Sequence, residues 1–115
     1  PSDSGQFVLS SSSLSTINKD ILPETFALHQ NYPNPFNPIT SIRYDLAEGG
    51  LVNITIYDMM GRKVKNLVNG MQTAGYKSMV WDTVDDRGHS VSAGLYIYSI
   101  TAGNFRANKK MILLK

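Results

Sequence analysis

Three carboxylates, Asp82, Asp85 and Asp86, crowd one short stretch of the 115-residue chain. Oxygen ligands gathered on one loop can hold calcium. Their spacing departs from the EF-hand loop, where a glycine directly follows the third acidic position; here Arg87 stands between Asp86 and Gly88. Side chains capping a tight turn explain the cluster as well, so no metal is assigned. His29 and His89 are sixty residues apart with no metal spacing, and read as surface histidines. Arg62, Lys63 and Lys65 read as a solvated strand face, because a net charge of +2 is too weak to argue for nucleic acid. Tyr57 or Tyr76, if exposed, could line a sugar platform, although sandwich packing is the favoured reading. The chain has no Gly-x-Ser-x-Gly elbow, no His-Glu-x-x-His and no phosphate-binding glycine loop. It reads as no enzyme, with no cofactor and no small-molecule substrate.

The best functional candidate is the ending, Lys109-Lys110-Met111-Ile112-Leu113-Leu114-Lys115. Four of the eleven basic residues, Arg106, Lys109, Lys110 and Lys115, fall in the last ten positions. Charges guarding a final edge strand would explain this. An edge strand is also a natural template for capture by another β protein. A recognition role is therefore expected here.

The elements that must position this ending are short strands. Alternation predicts them at Phe26–Gln30, Ser41–Leu46, Val52–Tyr57, Arg62–Val68, Tyr76–Asp82, Leu95–Thr101 and Phe105–Leu114. Turns are expected at Glu48-Gly49-Gly50, Asp58–Gly61, Asn69-Gly70, Asp85–Gly88 and Ala102-Gly103-Asn104. Seven strands at this spacing predict an all-β class, a seven-stranded antiparallel β-sandwich. Its core would take Ile42, Tyr44, Val52, Ile54, Ile56, Trp81, Tyr96, Tyr98, Ile100 and part of Met111–Leu114.

Ahead of the second strand runs Asn31-Tyr32-Pro33-Asn34-Pro35-Phe36-Asn37-Pro38, with three of the five prolines. Proline fixes φ, lacks an N–H and pushes the preceding residue toward extended geometry. A stiff, extended strap is expected. Residues 1–25 form a serine-rich arm that reads as a tether, although Phe7, Val8, Leu9, Leu14 and Ile17 would suit a strand. Cysteine is absent, which removes disulfides and thiolate metal sites. No apolar run is long enough for a membrane helix. The chain opens at Pro1 without an initiator Met or signal peptide, so a processed product or excised fragment is expected.

The motifs, in order, resemble a known family. The strap is followed by Thr40 and Ile42-x-Tyr44-x-Leu46. Then come Val52-x-Ile54-x-Ile56-Tyr57-Asp58-x-x-Gly61-Arg62-x-Val64, Ala74-Gly75-Tyr76 and Val80-Trp81-Asp82. Gly88-x-x-Val91-x-Ala93-Gly94-x-Tyr96-x-Tyr98, Ala102-Gly103 and the basic-apolar ending complete the set. The set is similar to the type A C-terminal sorting domain of the type IX secretion system, over residues 26–115. It is also similar to the Ig-like domain of flagellar hook-capping proteins. One departure is Thr83, where the family usually carries glycine after Trp-Asp. A second is that no cargo domain precedes residue 1, so either it was cut away or the small protein is its own cargo.

The resemblance implies an Ig-like fold and a non-enzymatic module that directs cargo through the periplasm and across the outer membrane. It implies the export machinery and a surface sortase as partners, and an outer-membrane-surface or extracellular location. The rival expectation is a self-assembling subunit of an extracellular filament or surface array, in which the arm inserts as a strand into a neighbouring copy. A carbohydrate-binding module is the third.

Overall fold

In the computed structural model of the chain, residues 22–115 are described. The arm residues Phe7, Val8, Leu9, Leu14 and Ile17 lie outside the described residues. Seven strands follow: β1 Ala27–Leu28, β2 Thr40–Leu46, β3 Gly50–Tyr57, β4 Lys63–Gln72, β5 Gly75–Trp81, β6 Gly94–Ala102 and β7 Phe105–Leu113. The fold is all-β and Ig-like, with no helix among the described residues. One sheet has the order β1-β2-β5 and the other β4-β3-β6-β7, every pairing antiparallel.

Period-two alternation drives the strands. In β2, Ile42, Tyr44 and Leu46 are buried while Arg43 between them is exposed. In β6, Tyr96, Tyr98, Ile100 and Ala102 are buried on one face. The two inner faces close on Trp81, Tyr44, Tyr98 and Phe36 as the largest buried side chains. Every expected core residue is buried, Met111 and Leu113 being the buried part of the ending. Phe36 and Asn31 are buried as well, which alternation did not indicate. Near the start of β6, the Tyr96 hydroxyl donates to the Ser92 carbonyl at 2.5 Å. This resembles the tyrosine corner of Ig-like sandwiches, where a tyrosine ties its strand to the backbone just upstream.

The structure departs from the sequence reading in four places. Asn69-Gly70 is not a turn. β4 runs through it, with Asn69 opposite Asn53 and Gly70 opposite Val52, so strand pairing overrides a local turn signal. The first strand shrinks to two residues because the pairing is interrupted at Asn31, whose N–H goes to the Tyr98 hydroxyl. Tyr32 then bonds to β2 again opposite Ser41 before the chain crosses to the other sheet. The strap is bent rather than extended, with its three X–Pro bonds cis. Its shape follows side-chain bonds: Asn31 Nδ2 donates to Pro33 O at 3.1 Å and Thr40 Oγ1 donates to the same oxygen at 2.9 Å. Tyr76 is 62% exposed instead of packed in the sandwich.

Thr83 has φ 67°, the one non-glycine residue among those described with positive φ. Left-handed geometry costs a residue with a Cβ about 1–2 kcal/mol, and glycine escapes that cost. Glycine also gives the unfolded chain about 0.4–1 kcal/mol more entropy. Thr83→Gly is therefore expected to be neutral to about 1 kcal/mol stabilising, although Thr83 is buried. A chemical-denaturation midpoint checks this, and a clear loss of stability would contradict it.

Candidate functional site

The acidic loop is built from turn caps. Asp85 Oδ1 accepts the N–H groups of Arg87 and His89, each at 2.9 Å. The His89 N–H, with lesser help from Arg87, lowers the Asp85 pKa. Asp86 accepts the Asn66 N–H at 3.2 Å and Asp82 accepts the Val84 N–H at 3.3 Å. No group of three metal-ligating side chains occurs among the described residues. Asp58 is held ionised in the same way, chiefly by the Arg62 N–H, and pairs with Arg62 Nε at 3.0 Å. Arg62 is thus a turn residue, Lys63 is exposed, and half-buried Lys65 reaches Asp86 at 4.0 Å. His29 Nε2 meets Asp45 at 3.0 Å, whereas His89 is exposed in its loop. Tyr57 lies on the four-stranded sheet and Tyr76 on the other, so they share no platform.

The C-terminal ending is divided by its own strand. Met111 and Leu113 are in the core, and half-buried Lys109 shares their face. Lys110 and Ile112 face outward with Arg106 and Asn108. Leu114 and Lys115 lie beyond the strand and are exposed. The seven-residue run expected to act in recognition is therefore two-sided, with Met111 and Leu113 inward and Lys110 and Ile112 outward.

β7 is an edge strand, but its last half is occupied. The strap lies along it and bonds to it directly. The Phe36 N–H donates to Ile112 O, and the Leu114 N–H donates to Phe36 O, both at 2.9 Å. The Ile112 N–H donates to Asn34 Oδ1 at 2.9 Å, and Gln30 Nε2 donates to Lys110 O at 2.7 Å. The Phe36 ring is 2% exposed and sits 6.0 Å from Trp81, between the sheets. The edge expected as a template for strand capture is thus closed from Lys110 to Leu114 by the protein's own strap.

Buried Asn31 and Tyr98 hold the strap's base. The Asn31 N–H donates to the Tyr98 hydroxyl at 2.7 Å, and that hydroxyl donates to His29 O at 2.6 Å. Asn31 Nδ2 also donates to Thr40 Oγ1 at 2.9 Å. A buried asparagine needs such partners, because an unmet polar group costs about 1–3 kcal/mol. None of this was legible beforehand, apart from asparagine's general fitness for turns.

Burial raises the Tyr98 phenol pKa to about 12, although the Asn31 N–H opposes the rise. The unfolded phenol titrates near 10. The neutral phenol's contribution is complete below pH ~10 and is lost as pH climbs toward 12, a change of about 2 kcal/mol. Tyr98→Phe should be less stable than wild type at pH 9, with the gap narrowing at pH 11.5. Urea midpoints at the two values check this. Tyr44 and Tyr96, also raised by burial, are common to both proteins and cancel.

The description "Secretion system C-terminal sorting domain" matches residues 30–114. The chain belongs to that family, the C-terminal sorting domains of type IX secretion that its motifs resemble. The family is a sorting module rather than a catalytic one. No curated protein matches the sequence. Among solved structures, dimeric latent PorU from Porphyromonas gingivalis is similar at TM-score 0.61 and 21% identity, over 76% of this chain and 9% of that one. PorZ, an essential surface component of the type IX secretion system of the same organism, is similar at TM-score 0.54 and 16% identity, over 77% and 12%. FlgD from P. aeruginosa aligns at TM-score 0.49 and 24% identity, over 65% and 59%. At these identities the likeness is one of fold, and the chain spans about a tenth of the PorU and PorZ chains.

Proposed function

We propose that residues 26–115 are a non-enzymatic sorting and surface-anchoring domain, with residues 1–25 as its tether. The export machinery reads the domain after passage through the periplasm, and a surface sortase acts on the exported chain. The family match over residues 30–114 carries this reading. The test is a periplasmic reporter fused ahead of the full chain in a type IX-competent host. Surface display of the fusion, with the bare reporter left in the periplasm, is the expected result. A fusion retained with the bare reporter would overturn the reading. Removal of Met111–Lys115 is a poor probe of recognition, because Met111 and Leu113 are core residues. The alternative, strand exchange through the arm, would have to use an edge other than Lys110–Leu114, which the strap takes; β5 is such an edge among the described residues. The full chain is expected to stay monomeric in light scattering at high concentration; large particles would favour the filament subunit instead.

A further inference from the structure

The four strands of the larger sheet carry no Asp or Glu. They carry Lys63, Lys65, Arg106, Lys109 and Lys110. The chain's net charge is only +2, and the described carboxylates lie on loops, turns and the smaller sheet. Charge is therefore segregated: Lys63, Arg106 and Lys110 lie on the outer face of this sheet with no carboxylate on its strands, whereas Lys109 shares the inner face with Met111, and Lys65, opposite Ile56, pairs with Asp86.

Register lays that face out in rows. Arg106 stands opposite Thr101, which stands opposite Asn53 and then Asn69. Asn108, Ser99, Thr55 and Asn66 form the next row. Lys110, Ile97, Tyr57 and Lys63 form the third. The middle row is pre-set by bonds within the face. Asn66 Nδ2 donates to Thr55 Oγ1 at 3.1 Å, and Thr55 Oγ1 donates to Asn53 Oδ1 at 2.7 Å. Apolar side chains flank the rows, with Ile112 42% and Leu51 61% exposed.

The edges of the same sheet discourage strand addition. The strap closes Lys110–Leu114 of β7. On β4, the Asp86 N–H donates to Val64 O and the Asp86 carboxylate accepts the Asn66 N–H. Register shifts at Ile54/Thr55 and Ile56/Tyr57 also bend the β3–β4 ladder. A partner that reads this sheet is thus steered to its face.

We propose that the outer face of the four-stranded sheet docks, face-on, an acidic protein surface of the export apparatus, with Arg106 and Lys110 as its charged anchors. The proposal rests on the sorting reading and names the chemistry of its receptor. A protein fits the apolar flanks beside the charges better than a bare polyanion does. Four strands ~4.8 Å apart and about 30 Å long give a face of about 600 Å². That is below the ~800 Å² per partner of a standard stable interface. It suits a transient, electrostatically steered encounter, as a receptor that must release its cargo requires.

The test uses the reporter fused to the full chain and scores display by protease shaving. Arg106→Glu with Lys110→Glu should lower display at least tenfold. The same charge change on the smaller sheet, Arg43→Glu with Lys77→Glu, should leave it within twofold. Arg106→Lys with Lys110→Arg should restore display, which a folding defect alone would not explain. A photo-crosslinking residue at Asn108 should give a protease-sensitive adduct whose linked peptide is rich in Asp and Glu. Wild-type fusion that is not displayed sinks the sorting reading itself. Wild-type display matched by the Arg106/Lys110 reversal sinks the docking proposal alone. Equal loss in both reversals, or an Asn108 adduct that is glycan or lipid, also overturns the acidic-protein assignment.

Discussion

Trp81→Ala is expected to remove ~3–5 kcal/mol of stability, against a typical domain total of ~5–15 kcal/mol. Trp81 is fully buried. Its ring packs edge-on to Tyr96 at 5.5 Å and tilted to Phe36 at 6.0 Å. Truncation leaves a cavity where three segments meet: the end of β5, the start of β6 and the strap. It also strands the Val84 carbonyl, which accepts the Trp81 Nε1–H at 3.0 Å. A urea titration followed by circular dichroism measures the loss. Native Trp81 fluorescence should be that of an apolar, dry indole, and a fully hydrated spectrum would refute the packing.

The second large effect is expected at Phe36→Ala, again ~3–5 kcal/mol for a buried aromatic. Here the diagnostic is local. The strap's backbone bonds to Ile112 and Leu114 remain possible in the variant, but the ring that seats the strap beside Trp81 is gone. The amides of Ile112 and Leu114 should lose hydrogen-exchange protection first, while amides in β3 and β6 keep theirs until global unfolding. Unchanged protection together with a cost below ~1 kcal/mol would show that the strap is held by its prolines and asparagines alone.

Strands and core were legible because alternation reports a half-buried sheet directly. Ile42, Tyr44 and Leu46 could not face two ways, and one residue of slip would have exposed all three. The strap was only half legible. Its prolines announced that no inner strand could pass, but not where the segment docks. Its partners on β7 are 76 to 80 residues away, and no local pattern encodes such a distance. Asn31 was unreadable for a related reason. A polar residue in the core depends on a hydroxyl from Tyr98, 67 residues on. The ending was legible in part: a core share of Met111–Leu114 was expected, and the pleat selects Met111 and Leu113 for it. Thr83 stood out only against the family's glycine, and its positive φ supplies the reason for that glycine.

The clamp between strap and final strand also sets a timetable. The ribosome releases residues 31–36 long before 110–114, and closing so long a loop carries an entropic cost that nearby contacts cannot offset in advance. Phe36 has no seat on β7, and Asn34 Oδ1 and Phe36 O no donors there, until residues 112–114 have emerged. A chain shortened ahead of residue 110 therefore cannot close the strap onto β7. The clamp is thus a contact between early and late parts of this domain, and it forms only when both are present.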